Sequence, residues 1–159
     1  MAEFLHGTAI AVGGHAVLIR GVSGVGKSDL ALRCLAVPCG PFATAEPKLV
    51  ADDQVEVVVE HGRAMLRAPA TIAGRIEVRG LGIVMVPFVA EARLVLVADI
   101  VAADAIERMP ADGPTTMLCG IKVPSIQIAA LQPSAPLKLL LALAAAAQTA
   151  QVQADGPDR

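Results

Sequence analysis

Two short β-prone runs, Thr8–Val12 and Ala16–Arg20, begin the pattern of hydrophobic positions in this chain. The pair Gly13-Gly14 separates them, which predicts a tight hairpin. From Lys27 to Val37 the apolar residues recur at helical spacing, and Pro38 ends the pattern. A hairpin followed by a loop and a helix is therefore predicted for this part of the chain.

Short apolar runs broken by turn residues dominate the middle of the chain. The segment from Pro38 to Pro47 is rich in proline and is predicted to be a surface loop. Alternating or continuous apolar residues then predict strands, two of them joined as a hairpin at His61-Gly62. The predicted strands are Lys48–Ala51, Val55–Val59, Ala64–Arg67, Ile76–Val78, Ile83–Val86 and Leu94–Val97.

The last part of the chain is expected to be partly helical. Ala102–Met109 is predicted to form a short helix, and a last short strand contains Ile126 and Ile128. Pro136 begins a predicted Leu/Ala-rich helix that ends near Ala150. We expect one α/β domain over residues 1–150, with a mixed central sheet, hairpins and flanking helices, followed by a polar tail at 151–159.

Composition narrows the class of function. The chain has 159 residues, of which 55% are hydrophobic and 18% charged, so it is long and apolar enough to fold as one domain. A net charge of −2, with 2% aromatic residues and no basic run, argues against a nucleic-acid partner and against an anionic membrane. The apolar stretch Leu139–Ala147 is much shorter than the ~20 residues of a membrane span. A soluble, cytoplasmic protein is expected.

A phosphate-binding loop follows the predicted hairpin. Eight consecutive residues match the pattern G-x-x-x-x-G-K-[ST] between an apolar strand and a helix. Its glycines allow backbone N–H groups to curl toward an anion at the N-terminus of the helix. The lysine would bridge the β- and γ-phosphates, and the serine hydroxyl would bind Mg²⁺. These residues are Gly21, Val22, Ser23, Gly24, Val25, Gly26, Lys27 and Ser28.

Two adjacent carboxylates, Asp52 and Asp53, come directly after the predicted strand Lys48–Ala51. A carboxylate at the end of a strand beside a phosphate loop is typical of Walker B sites. Because successive side chains of a strand point to opposite faces, only one of the two is expected to face the phosphates. A solvated acidic strand end is the alternative interpretation.

Four segments together resemble one known family. His6-Gly7, the loop 21–28, the run Leu49-Val-Ala-Asp-Asp53 and the stretch Glu77-Val-Arg-Gly-Leu-Gly-Ile83 occur in this order, and they resemble the catalytic domain of the bacterial HPr kinase/phosphorylase family. The resemblance covers about residues 5 to 128. It implies an HPr kinase and PEP carboxykinase-like fold, in a short form without the family's N-terminal domain.

The resemblance also implies an activity and a set of site residues. The implied activity is ATP-dependent and Mg²⁺-dependent phosphorylation of a serine on HPr or its nitrogen-branch counterpart, by a homo-oligomer that is hexameric in the family. Asp52 would be the proton acceptor, and Asp53 and Arg79 would support the site. The other implied catalytic residues are His6, Lys27 and Arg108, and the implied metal ligands are Ser28 and Glu77.

The segment Ala130–Pro136 lacks the Gly-Arg pair that the family carries near its C-terminus, which weighs against phosphorylase activity more than against kinase activity.

Two other functions remain open from the sequence. A non-catalytic or repurposed ATP-binding module is one alternative. A kinase for another hydroxyl substrate is the other, because the phosphate machinery does not specify the acceptor.

Overall fold

The computed structural model describes residues 2–156 and shows a mixed α/β fold with one large sheet, a small second sheet and two helices. The helices are α1 (Lys27–Leu35) and α2 (Ala135–Ala154). The strands are β1 (Ala2–His6), β2 (Thr8–Val12), β3 (His15–Arg20), β4 (Lys48–Ala51), β5 (Gln54–Glu60), β6 (Arg63–Arg67), β7 (Arg75–Val78), β8 (Gly82–Met85), β9 (Glu91–Ile100), β10 (Thr115–Leu118) and β11 (Ile121–Ile128).

The ten-residue strand β9 organises the large sheet. One of its edges pairs with β3 in parallel. The other edge pairs with β6 (antiparallel) near the start of β9 and with β11 (parallel) near its end. The strand order along the main path is β1-β5-β6-β9-β3-β2-β4, and β10 adds to β11. The strands β7 and β8 form a separate hairpin.

Both faces of the central strands are buried. Alternate residues of β2 and β3 pack to opposite sides: Ile10, Val17 and Ile19 belong to one core cluster, and Ala9 and Leu18 to the other. This alternation follows from the two-residue repeat of a strand. Because neither face is left to solvent, both strands read as continuous apolar runs, and the register of their ends is fixed by packing.

The two helices cover the first of these faces. Leu30 and Cys34 of α1 and Leu139, Leu140 and Leu143 of α2 are fully or almost fully buried in the same core cluster. By length and composition alone, the 20 residues of α2 would also suffice to cross a membrane. The core helix of a globular domain passes the same test, and the buried leucines of α2 place it against the sheet.

Most predicted strands and both main helices are confirmed, but one prediction is wrong. The predicted helix Ala102–Met109 is only a 3₁₀ turn at Ala103–Ala105. The segment is almost entirely exposed, and so short a helix needs tertiary burial to be stable.

Other boundaries also differ from the sequence prediction. β1 and β10 are additional strands, and α2 continues past the predicted end at Ala150 to Ala154. Of the predicted tail at 151–159, residues 157–159 lie outside the described part of the chain.

Candidate active site

Strand register brings three separate segments of the chain to one end of the large sheet. Thr8 pairs with Ile19 near the end of β3, and Ala9 pairs with Ala51 at the end of β4. The chain that leaves β3 therefore begins the phosphate loop directly beside the two aspartates that follow β4. The last pair of β3 and β9, Arg20 with Asp99, forms a two-pronged ion pair at 2.8 and 2.9 Å that fixes the base of the loop.

The phosphate loop has the backbone that its glycines predict. Gly24 (φ 78°) and Gly26 (φ 106°) lie in the left-handed region, which residues with a Cβ rarely adopt. Gly26 caps α1, and its carbonyl accepts the first helical hydrogen bond from Leu30 at 2.9 Å. The N-terminus of α1, with its partial positive charge, thus begins where the loop ends.

Lys27 is the one charged residue of the loop 21–28, and it is buried, with 7% of its surface exposed. Its ammonium donates hydrogen bonds to the carbonyl oxygens of Gly21 (2.8 Å) and Val22 (2.9 Å). The side chain is therefore folded back along the loop, with its charge held over the loop backbone. Phosphate oxygens would be stronger partners for this ammonium than neutral carbonyls.

Asp52 is buried, with 5% of its surface exposed, and its carboxylate accepts three hydrogen bonds. Oδ1 accepts from the hydroxyls of Ser28 (2.6 Å) and Thr8 (2.9 Å), and Oδ2 accepts from the backbone N–H of Glu77 (3.0 Å). This carboxylate joins the phosphate loop, β2 and β7, so it holds the elements of the site together.

Asp53 has the opposite environment. Its side chain is 79% exposed, and Oδ1 lies 3.3 Å from Nδ1 of His6. The backbone N–H of Gln54 bonds to the carbonyl of Asp52 at 2.8 Å across Asp53, whose φ is +66°. This is a γ-turn with positive φ, a rare and strained form. The turn breaks the alternation of the strand and presents Asp53 to solvent beside His6.

The remaining predicted residues divide into two that lie at the site and one that does not. Glu77 contributes its backbone N–H to Asp52, and Nη2 of Arg79 would lie 3.9 Å from a methyl group built on Gly24. Arg108 lies in the exposed chain after the 3₁₀ turn, and none of the hydrogen bonds or ion pairs of residues 2–156 involves it. The structure does not connect Arg108 with the phosphate loop.

Thr8 is the site residue that sequence reasoning missed. Its signal was present, since it is the only hydroxyl in the apolar run Thr-Ala-Ile-Ala-Val of β2, two residues after His6. Its partner, however, is 44 positions away. Only the pairing of β2 with β4 brings the two side chains together.

The donors at this site fit a magnesium nucleotide better than a metal held by protein alone. Over residues 2–156 there is no cluster of three or more His, Cys, Asp and Glu side chains that could hold a metal ion. Mg²⁺ is usually held by one or two protein oxygens together with substrate phosphates and water. Ser28, with Asp52 behind it, provides such a partial set beside a phosphate loop.

Comparisons with known proteins agree on one family. The family model described as "HPr Serine kinase C-terminal domain" matches residues 1–158. The HPr kinase/phosphorylase of Clostridium tetani is 40% identical over 83 residues, which are 52% of this chain and 25% of that protein. The enzyme of the same name from Halalkalibacterium halodurans is 41% identical over 83 residues and 24% of its length. The chain thus matches about a quarter of the length of these relatives.

A solved structure shows the same fold over almost the whole chain. It is the Hpr(Ser) kinase/phosphatase of Coxiella burnetii, with a TM-score of 0.71 and 22% sequence identity. The superposition covers 97% of this chain and 99% of that one.

Proposed function

The chain belongs to the family of HPr serine kinase C-terminal domains, and on that premise we propose that it is an ATP-dependent kinase that phosphorylates a serine of an HPr-type phosphocarrier. The observation that supports this most directly is the contrast between the two adjacent aspartates beside the phosphate loop. Asp52 is buried and accepts a hydrogen bond from Ser28, whereas Asp53 is exposed and lies beside His6.

In this proposal the loop 21–28 and the N-terminus of α1 bind the phosphates of ATP. The backbone of Gly24 and Gly26 gives the loop its curvature, and Lys27 exchanges its two carbonyl partners for phosphate oxygens. The guanidinium of Arg79 lies near Gly24 and adds a second positive charge beside the loop. Most of the rate of phosphoryl transfer comes from such positioning and charge neutralisation.

Ser28 and Asp52 provide the place for Mg²⁺. Because the Ser28 hydroxyl donates its hydrogen to Asp52 at 2.6 Å, its oxygen lone pairs remain free to bind a cation. As the family resemblance implies, we assign Ser28 and Glu77 as its ligands; Asp52 bonds to the hydroxyl of Ser28 and to the backbone N–H of Glu77, so both residues lie beside it. When bound, Mg²⁺ would neutralise charge on the phosphates.

The environments of the two aspartates favour Asp53 as the proton acceptor, in place of Asp52, to which the family resemblance assigned that role. Asp52 is buried and already accepts three hydrogen bonds, so a serine hydroxyl cannot reach it. Asp53 is exposed and is held at the surface by a strained turn, and such strain is concentrated at functional positions. His6 orients its carboxylate from one side.

The proposed reaction follows from these positions. The serine hydroxyl of the partner gives its proton to Asp53 while its oxygen bonds to the γ-phosphorus. The bond between that phosphorus and the β–γ bridging oxygen breaks, and ADP leaves. Lys27 and Arg79 balance the negative charge on the transferred group.

A transfer assay with γ-labelled ATP tests the proposal. HPr-type phosphocarriers of the sugar and nitrogen branches would be the acceptors, with the labelled residue identified by mass spectrometry. We expect label on a serine, and loss of about 10²–10⁴-fold in rate for Asp53→Asn, the usual contribution of a general base. Lys27→Ala should lose at least about 10²-fold.

The same assay separates the roles of the two aspartates. Asp53→Asn should still bind MgATP, whereas Asp52→Asn should bind it more weakly, because an amide has one acceptor oxygen and no charge, and its NH₂ group must face either the Ser28 and Thr8 hydroxyls or the N–H of Glu77. If Asp53→Asn transfers phosphate at the wild-type rate, the assignment of the proton acceptor is wrong. ATP binding without transfer to either phosphocarrier would instead favour a repurposed nucleotide-binding module, an outcome with which the exposed position of Arg108 agrees.

We further propose that the protein acts in the cytoplasm as a homo-oligomer, a hexamer by resemblance to its family. The outer face of the β7–β8 hairpin supports an assembled state, because Ile83 and Met85 are each 64% exposed and Leu81 at its tip is 78% exposed. Light scattering at micromolar concentration tests this, and a monomer there would contradict it.

A further inference from the structure

Thr8 is a polar residue in a fully buried position. None of its surface is exposed, and it begins a strand whose next residues, Ala9, Ile10 and Ala11, belong to the two core clusters. A hydroxyl is costly to bury unless it forms a hydrogen bond. Its hydrogen bond to Oδ1 of Asp52, at 2.9 Å, meets that cost and fixes the direction of the hydroxyl.

A continuous path of hydrogen bonds leads from Thr8 to the phosphate loop. Oδ1 of Asp52 accepts from both Thr8 and Ser28, so a single oxygen joins the core strand β2 to the residue after Lys27. Oδ2 is held separately by the N–H of Glu77. The Thr8 hydroxyl, fully buried on β2, and the N–H of Glu77 on β7 thus hold one oxygen each from fixed positions, so the carboxylate plane has one orientation and Ser28 must direct its hydrogen toward it.

We propose that Thr8 is a positioning residue, which holds the Asp52 carboxylate so that the Ser28 oxygen presents its lone pairs to the divalent cation of a bound nucleotide. This inference rests on the proposed use of the loop for a magnesium nucleotide. Without the Thr8 hydroxyl, Oδ1 is held only by Ser28, whose own hydroxyl rotates, and Oδ2 keeps the N–H of Glu77. The carboxylate then has one fixed contact in place of two, so it can shift about that contact and the Ser28 hydroxyl shifts with it. Thr8 touches neither nucleotide nor metal, so its effect passes through Asp52.

The two possible roles of this threonine predict different results. A threonine that only stabilises the core would affect the free energy of unfolding and leave nucleotide binding by the folded protein unchanged. A positioning threonine affects binding of ATP with Mg²⁺ but not binding of ATP without it. Valine has nearly the shape of threonine and lacks the hydroxyl, so Thr8→Val removes the hydrogen bond and leaves little or no cavity.

The experiment is calorimetric titration of ATP into wild type, Thr8→Val and Thr8→Ser, once with Mg²⁺ and once with EDTA. We expect Thr8→Val to bind ATP about tenfold more weakly in Mg²⁺, as expected for one hydrogen bond to a charged group, and within about twofold of wild type in EDTA. Thr8→Ser restores the hydroxyl and should recover most of the loss. Thr116→Val, a half-buried threonine on β10, is the matched control and should bind as wild type does.

Several results would overturn the inference. They are equal weakening by Thr8→Val in Mg²⁺ and in EDTA, failure of Thr8→Ser to recover binding, and wild-type binding that does not respond to Mg²⁺. Urea unfolding shows whether each variant is folded. If Thr8→Val does not fold, Thr8→Cys, whose thiol is a weak donor, takes its place with the same expectations. Because binding is measured without an acceptor protein, absence of phosphate transfer would overturn the kinase proposal and leave this one standing.

Discussion

A single methyl group added at Gly7 is expected to disturb the candidate site. It joins β1 to β2, directly between His6 and Thr8. A Cβ at this position would lie 2.9 Å from the carbonyl oxygen of Ile19 and 3.0 Å from Cδ1 of Leu18. Gly40, in the loop after α1, has no atom within 4 Å of such a Cβ. Neither glycine has a positive φ, so alanine is permitted by the backbone at both positions.

The expected change in the free energy of unfolding is the sum of two opposing effects. Replacing glycine with alanine removes freedom from the unfolded chain and stabilises a protein by about 0.4–1 kcal/mol where the site accepts the methyl. At Gly7 the contact with a backbone oxygen is too short, so strands must move apart, and such overpacking costs about 1–3 kcal/mol. We expect Gly7→Ala to lose about 1–2 kcal/mol of unfolding free energy, and Gly40→Ala to gain about 0.4–1 kcal/mol.

Urea unfolding of both variants measures these differences, and the transfer assay measures their effect on the site. The N–H of Gly7 donates to the carbonyl of Asp53 at 3.1 Å, so movement of this backbone displaces the pair of Asp53 and His6. We therefore expect transfer to fall in Gly7→Ala even under conditions in which the variant is fully folded. Unfolding free energies that place Gly7→Ala level with Gly40→Ala would refute the steric argument.

Three further predictions concern the core, the strained turn and the buried Cys34. Leu30→Ala, at a fully buried position of α1, should cost about 2–5 kcal/mol in urea unfolding. Asp53→Gly should be more stable than Asp53→Ala by about 1–2 kcal/mol, because glycine tolerates the positive φ, while both variants lose transfer. Burial raises the pKa of Cys34 from 9.0 to about 12, so the linked stability is complete below pH 9 and is lost between pH 9 and 12. Unfolding of Cys34→Ala followed over that range should show a shallower alkaline decline than wild type.

The local features of this fold were predictable because the residues that determine them are neighbours in sequence. The hairpin at Gly13-Gly14 depends on turn glycines, and the loop 21–28 depends on a motif of eight adjacent residues. The wrong prediction of a helix at Ala102–Met109 has the opposite cause: its residues permit a helix, but all of them except the partly buried Ile106 are exposed. Helical propensity alone does not stabilise so short a segment.

The relation between distant residues could not be predicted in the same way. The register of β2 with β4 determines that Thr8 meets Asp52, and that register is a property of the assembled sheet. The alternation of side chains along a strand predicted that the carboxylates of Asp52 and Asp53 would point to opposite faces, but it did not predict which of the two would be exposed. The γ-turn at Asp53 decides this, because it ends the strand one residue after the buried carboxylate.

The adjacency of the two aspartates itself has a physical reason. Asp52 needs burial, because an anion that accepts three hydrogen bonds at fixed positions orients Ser28 only while water does not compete with those donors. A proton acceptor for a protein substrate needs the reverse, an exposed carboxylate that a serine can approach. In the proposed mechanism both carboxylates act beside the γ-phosphate, and a strained turn after a buried strand satisfies both requirements with consecutive residues. The strain at Asp53 is thus the consequence of placing a buried and an exposed carboxylate side by side.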